Sequence, residues 1–173
     1  MYIAKNNDLI ILAKDTRKEL EQALEFMVYD TIEETDVNYT LVDGVYVTEA
    51  AQELKEKERI QELFMTRSDF FDGTIMAWGV DEAALLPLIE SMVNSMPLDD
   101  RLKLKAMNNF KNALNFYRKH DLFNLLVNIP LQLSESVQVI ITDEHLDKFF
   151  DEVAKGNKDT AWQYLPQPMA INQ

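Results

Sequence analysis

The sequence lacks cysteine altogether and has only four glycines in 173 residues. Without cysteine there can be no disulfide, thiolate nucleophile, iron–sulfur cluster or cysteine-based zinc site. The glycines are too few and too scattered for a phosphate-binding loop, and the nucleophile motifs Gly-x-Ser-x-Gly and Ser-x-x-Lys do not occur. Several classes of catalytic site are therefore excluded.

Long hydrophobic runs are also missing. No window approaches the roughly 20 apolar residues of a membrane-spanning helix, and the first residues lack the apolar core of a signal peptide. We therefore expect a cytoplasmic protein with no membrane partner.

Basic residues are scarce, since 17 lysines and arginines stand against 30 aspartates and glutamates, giving a net charge of −13. A molecule of this charge is repelled by nucleic acid and by anionic lipid. We therefore expect no direct nucleic-acid partner. The hydrophobic fraction of 47% is nevertheless high enough for a folded core.

The charges are unevenly distributed along the chain. Residues 19–54 contain ten acids and no base, and residues 101–119 contain six bases and no acid. The candidate acidic patch is Glu19, Glu21, Glu25, Asp30, Glu33, Glu34 and Asp36. The candidate basic face is Arg101, Lys105, Lys111, Arg118 and Lys119. Either these are solvated faces that oppose each other in the fold or in a homo-oligomer, or the acidic patch binds a basic protein.

The first 49 residues predict a small α+β unit with two β-hairpins and a helix. Two short apolar runs before Lys14 flank Asn-Asn-Asp and indicate the first hairpin. Thr16 and Glu19 have capping-box spacing and begin a helix of about three turns that continues to Met27. Asp43-Gly44 between β-branched and aromatic residues is typical of a type I′ hairpin.

Residues 50–160 predict a mainly helical unit, and residues 161–173 an extended tail. We expect helices over 50–65, 66–79, 81–93, 98–119, 122–129 and 142–156. Residues 137–141 are either a strand or a buried helical turn. The predicted fold class is therefore α+β, with hairpins first and helices after.

The two histidines are the remaining candidates for chemistry. His145 lies in the first turn of a helix beside Asp143 and Glu144, where polar residues cap the helix, and His120 fits a polar helix end. We therefore expect no catalytic residue, no cofactor site, no metal site and no enzyme activity. A hydrolase that uses His145 is a weaker alternative.

Four segments carry a resemblance to a known group of proteins. Residues 59–71, 78–81, 112–120 and 142–150 combine a Leu/Thr/Phe helix start, a glycine-aliphatic break and a closing helix. In this order they resemble small accessory proteins encoded by tailed bacteriophages and prophages of Gram-positive bacteria, over about residues 55–155. The resemblance implies a virion-assembly, tail-associated or other accessory role, and it assigns no site residues.

The sequence therefore favours a non-enzymatic phage accessory or assembly protein that acts through protein–protein contacts in the host cytoplasm. Its partner is expected to be a phage structural protein, a host protein or a second copy of the chain. The alternative is an acidic inhibitor that mimics DNA and occupies the nucleic-acid channel of a host nucleic-acid-binding or defence enzyme.

Overall fold

The computed structural model describes residues 1–171. They divide into two compact units: unit 1 is Met1–Lys57, and unit 2 begins at Glu58. Strand pairs come first and a mostly helical part follows, with about 49% helix and 22% strand overall. The predicted α+β fold class is confirmed. The boundary lies inside a helix, Glu49–Gln61, rather than after residue 49.

Unit 1 contains two small sheets and one short helix. Its elements are β1 (Tyr2–Asn6), β2 (Leu9–Lys14), α1 (Arg17–Ala23), β3 (Thr31–Glu34), β4 (Tyr39–Val42), β5 (Val45–Thr48) and the start of α2 (Glu49–Gln61). The three-stranded sheet has the order β2-β1-β3 with antiparallel neighbours, and β4 and β5 form the second predicted hairpin. Asp43 and Gly44 have the positive φ values that this two-residue turn requires.

The core of unit 1 is small. Leu20 and Leu24 of the helical segment pack on Ala4 of β1, and partly buried side chains from the sheet surround them. The predicted capping box of Thr16 and Glu19 is present. The helix, however, ends at Ala23 and does not reach Met27, whose side chain is exposed.

Unit 2 is larger and mainly helical. Its elements are β6 (Phe64–Thr66), α3 (Arg67–Trp78), α4 (Glu82–Ser95), α5 (Asp100–Asn112), β7 (Asn115–Tyr117), α6 (Asp121–Leu126), β8 (Pro130–Gln132), β9 (Val137–Ile140), α7 (Asp143–Ala154), α8 (Lys158–Ala161), a 3₁₀ turn (Trp162–Tyr164) and β10 (Met169–Ala170). β6 pairs antiparallel with β7, and the second sheet has the order β10-β9-β8. Residues 137–140, which the sequence left open, are therefore a strand.

Phenylalanine rings fill the centre of unit 2. Phe110 and Phe116 stack with their centroids 4.4 Å apart, and Phe70 and Phe123 meet both rings edge-on or tilted. Such tilted and offset arrangements suit the ring quadrupole. This cluster joins α3, α5, β7 and α6, with further rings from α7.

The predicted helix over residues 98–119 is wrong after Asn112. Ala113 takes an extended conformation, and residues 115–117 pair with β6. The Arg67 guanidinium Nη1 donates to the carbonyl oxygens of Phe110 and Ala113, at 2.9 and 3.2 Å. Two of the carbonyl oxygens that a helix end leaves free therefore have a partner where the chain leaves the helix.

The expected extended tail also differs from the structure in its first residues. Ala161 and Leu165 are buried in the core of unit 2, and the Trp78 indole N–H donates to the Pro166 carbonyl oxygen at 2.8 Å. The composition of the segment does not predict this packing, because only a few apolar side chains anchor it. The last two residues lie outside the described range.

Candidate protein-interaction surface

All seven residues of the acidic patch are exposed, and all lie in unit 1. On α1, however, the acids already have partners. Glu19 completes the capping box with Thr16, and the Glu21 carboxylate pairs with the Arg17 guanidinium at 2.8 Å. Their charges therefore serve the helix as well as the surface.

Neighbouring acids on β3 point in opposite directions. Glu33 and Glu34 are consecutive strand residues, so their side chains lie on opposite faces of the sheet. Glu33 pairs with Lys5 at 2.6 Å, and this contact raises the pKa of Lys5. A hydrogen bond with Glu34 raises the pKa of the Tyr2 hydroxyl. The seven acids therefore do not form one continuous patch.

Two acids of the patch remain without a side-chain partner among residues 1–171. Glu25 and Asp36 are exposed and make no side-chain hydrogen bond or ion pair with these residues. Asp30, in contrast, accepts a hydrogen bond from the backbone N–H of Asn7 at 2.7 Å. Glu25 and Asp36 are therefore the charges most available to a partner.

Between Glu25 and Asp30 lies an exposed apolar segment. We call residues 25–30, which connect α1 to β3, the Phe26 loop. The Phe26 side chain is 93% exposed and Val28 is 80% exposed, and Met27 and Tyr29 are exposed as well. Burial of one such side chain is worth about 1.5–3 kcal/mol, so a cluster of them in water marks a contact surface.

The Phe26 loop is held in place by hydrogen bonds to β1. The Asn6 side-chain amide donates to the Val28 carbonyl oxygen at 3.1 Å, and the Asp30 N–H donates to the Lys5 carbonyl oxygen at 2.7 Å. These bonds fix the loop beside the β1–β2 turn, where Leu9 is also exposed. A fixed backbone lowers the entropy cost of binding.

Sequence reasoning missed this loop because it assigned Met27 to the buried face of a longer helix. The available signal was four consecutive apolar residues, Phe26-Met27-Val28-Tyr29, directly after a helical stretch and without helical spacing. A run of this kind does not fit the one-sided pattern of a surface helix.

The basic face does not exist as one face. Arg101, Lys105 and Lys111 are exposed on α5, but Arg118 and Lys119 follow β7 and lie outside the helix. Lys111 pairs with Glu90 at 2.8 Å, and Lys119 pairs with Glu62 at 2.6 Å. The prediction of one basic face was wrong because it required the helix to continue to Lys119, whereas α5 ends at Asn112.

Arg118 is buried and forms ion pairs within unit 2. Its side chain is 1% exposed, its Nη2 contacts the Asp143 carboxylate at 2.5 Å, and its Nε contacts the Asp147 carboxylate at 2.6 Å. These two acids lie on α7, so the buried cation ties β7 to that helix. Its Nη1 is buried and has no hydrogen-bond partner in the described part of the chain.

Both histidines act at helix starts. His145 forms a capping box with Thr142, as the sequence predicts for this first turn. The His120 Nδ1 accepts a hydrogen bond from the Leu122 N–H at 3.1 Å, so His120 begins α6 instead of ending the preceding helix. Burial among the rings of Phe110, Phe116 and Phe123 lowers the pKa of His120.

Other kinds of site have little support from the geometry. Within residues 1–171 no three His, Asp or Glu side chains are grouped so that they could hold a metal ion. No helix in the same range is long and apolar enough to cross a membrane.

No protein-family profile, curated protein or solved structure matches this chain.

Proposed function

We propose that this chain is a non-enzymatic accessory or virion-assembly protein of a tailed bacteriophage that works through protein–protein contacts. The observation that carries the proposal is the Phe26 loop, where two largely exposed apolar side chains lie beside Glu25, which has no side-chain partner among residues 1–171. The resemblance of residues 55–155 supplies the phage setting, and the host cytoplasm is the proposed place of action.

The chemistry of the loop defines the partner. An apolar centre with an acidic rim fits a protein surface that has an apolar pocket and basic residues around it. Nucleic acid does not fit, because phosphates would face carboxylates.

Affinity capture from phage-infected cells tests the proposal. The tagged wild-type chain is expected to retain a phage structural protein or a host protein, identified by mass spectrometry and then confirmed with the purified pair. The double variant F26S/V28S should lose this partner. Leu114→Ser is the matched control, because Leu114 is 82% exposed but lies in unit 2. Equal retention by wild type and F26S/V28S would contradict the proposal.

A second candidate is the acidic inhibitor of a host nucleic-acid-binding enzyme. It is favoured by the exposure of all seven acids in a stretch without a single base. The variant E25K/D36K separates the two functions, because it reverses two exposed charges and leaves the apolar side chains intact. A DNA mimic should lose a DNA-displaceable enzyme with E25K/D36K and keep it with F26S/V28S. The opposite pattern would exclude mimicry.

A further inference from the structure

The outer side of α5 has the chemistry that the Phe26 loop would need in a partner. At 100° per residue, Arg101, Lys105, Asn108 and Asn112 form one stripe, and the opposite side of the helix, with Met107 and Phe110, is buried in the core. Basic and amide side chains therefore run along the outer side of the helix.

Two leucines flank this stripe, one on each side. Leu102 is 56% exposed and Leu104 is 62% exposed. The Arg101 side chain has no ion-pair or hydrogen-bond partner among residues 1–171. Lys105 has only a contact of 3.5 Å with Asp121, and both side chains are largely solvated. An exposed ion pair of this kind contributes little to stability, so Lys105 can readily pair with a carboxylate of a binding partner.

We propose that the Phe26 loop of one copy binds the outer side of α5 on a second copy of this chain. The carboxylate of Glu25 would face Arg101 and Lys105, while Phe26 and Val28 would cover Leu102 and Leu104. Both surfaces combine apolar side chains with charge, and the charges have opposite signs. This inference rests on the proposed function, because it names the partner of the same loop.

The two surfaces are different, so the contact is heterologous. In such a pair one copy retains a free α5 surface and the other retains a free Phe26 loop, and these two surfaces can recruit further copies into a ring or an open chain. The net charge of −13 on each copy opposes association at long range. At physiological salt this repulsion is screened beyond about 8 Å, whereas directly apposed charges remain effective.

Complementation between two variants tests the arrangement. The loop variant E25K/F26S removes one surface, and the helix variant R101E/L104S removes the other. The wild type should show a mass that rises with concentration in light scattering or sedimentation, and each variant alone should be a monomer of 20.1 kDa. An equimolar mixture should stop at twice that mass, because only one intact contact remains.

Matched controls exclude general effects of charge and solubility. Lys57→Glu combined with Leu114→Ser changes one exposed base and one exposed leucine elsewhere and should associate like the wild type. Circular dichroism confirms that each variant is folded. Higher salt should weaken the association of the wild type.

Three results would overturn the inference: a wild type that is monomeric at every soluble concentration, a variant that still associates alone, or a mixture that stays monomeric. The proposed function fails separately. If the wild type is monomeric but still captures a phage or host protein through Phe26 and Val28, the loop remains a contact surface and only the second copy is excluded.

Discussion

Unit 1 and unit 2 differ in how many of their apolar side chains are buried. Among residues 1–171, unit 2 buries 23 hydrophobic residues in one cluster, whereas the buried cluster of unit 1 consists of Ala4, Leu20 and Leu24. Of the large apolar side chains that are exposed in the described part of the chain, ten belong to unit 1, which ends at Lys57, and nine to the longer unit 2. Small domains bury a smaller fraction of their surface than large ones. The exposure of four consecutive apolar side chains in the Phe26 loop is greater than this size effect alone would give.

The difference indicates a division of roles between the units. A dense aromatic core provides rigidity and most of the stability of unit 2. Unit 1 has little core and places its apolar side chains beside acids at the surface. The comparison therefore predicts that substitutions in unit 2 change stability and that substitutions in the Phe26 loop change binding.

The largest expected effect is the difference in stability loss between two phenylalanine substitutions, one in each unit. Phe123→Ala should lower the free energy of unfolding by about 3–5 kcal/mol, because Phe123 is fully buried among aromatic rings. Phe26→Ala should change it by no more than about 0.5 kcal/mol. Chemical denaturation measures both. A large loss for Phe26→Ala would show that the loop is part of a core, and the contrast between the units would disappear.

Removal of the partners of Arg118 should cost somewhat less. The double variant D143N/D147N leaves a buried, uncompensated cation and should destabilise unit 2 by about 3 kcal/mol. Arg118→Met removes the buried charge and keeps its volume, and its acids can hydrate, so it should cost about 1 kcal/mol or less. Denaturant midpoints compare the two. If Arg118→Met is the more harmful change, the cation itself is required for the position of β7.

Gly73→Ala should have an intermediate effect. A Cβ at this helical position would lie 2.5 Å from the Phe149 ring, so the added methyl group overpacks the core of unit 2. We expect a loss of about 1–3 kcal/mol. Phe149→Leu in the same chain should restore part of the stability lost to the methyl group. Hydrogen exchange should show the change in unit 2 and leave unit 1 unchanged, and equal loosening of both units would contradict their separation.

The smallest effect is expected from acidification, and it again concerns unit 2, which contains both histidines. The pKa of His120 is lowered by burial, so the unfolded chain binds a proton more readily than the folded one. Its contribution to stability is present above the unfolded pKa of about 6.5 and is lost as the pH falls through the folded value. Protonation of Nδ1 would also remove the acceptor for the Leu122 N–H.

The variant His120→Asn isolates this contribution. Asparagine is a good residue at a helix start and does not titrate, so the variant should lack the loss of stability just below pH 6.5. Denaturation at several pH values measures the difference. An identical pH dependence of wild type and variant would assign the effect to another group.

The sequence by itself determined the features that local chemistry controls. The turn at Asp43-Gly44 follows from residues that accept positive φ, and the helix starts at Thr16, Thr66 and Thr142 follow from side chains three residues apart. The α+β class follows from the order of these local patterns. The separation of acidic and basic segments is likewise a property of the sequence.

Tertiary structure alone decided the features that depend on distant partners. α5 ends at Asn112 because β7 pairs with β6 and Arg67 takes the freed carbonyl oxygens. Arg118 is buried because Asp143 and Asp147 meet it from a later helix. Glu33 and Glu34 lie on opposite faces because a strand alternates its side chains, and the Phe26 loop is held beside β1 by hydrogen bonds. Such long-range contacts have no signature in a local window of sequence, and here they determine which residues a partner can reach.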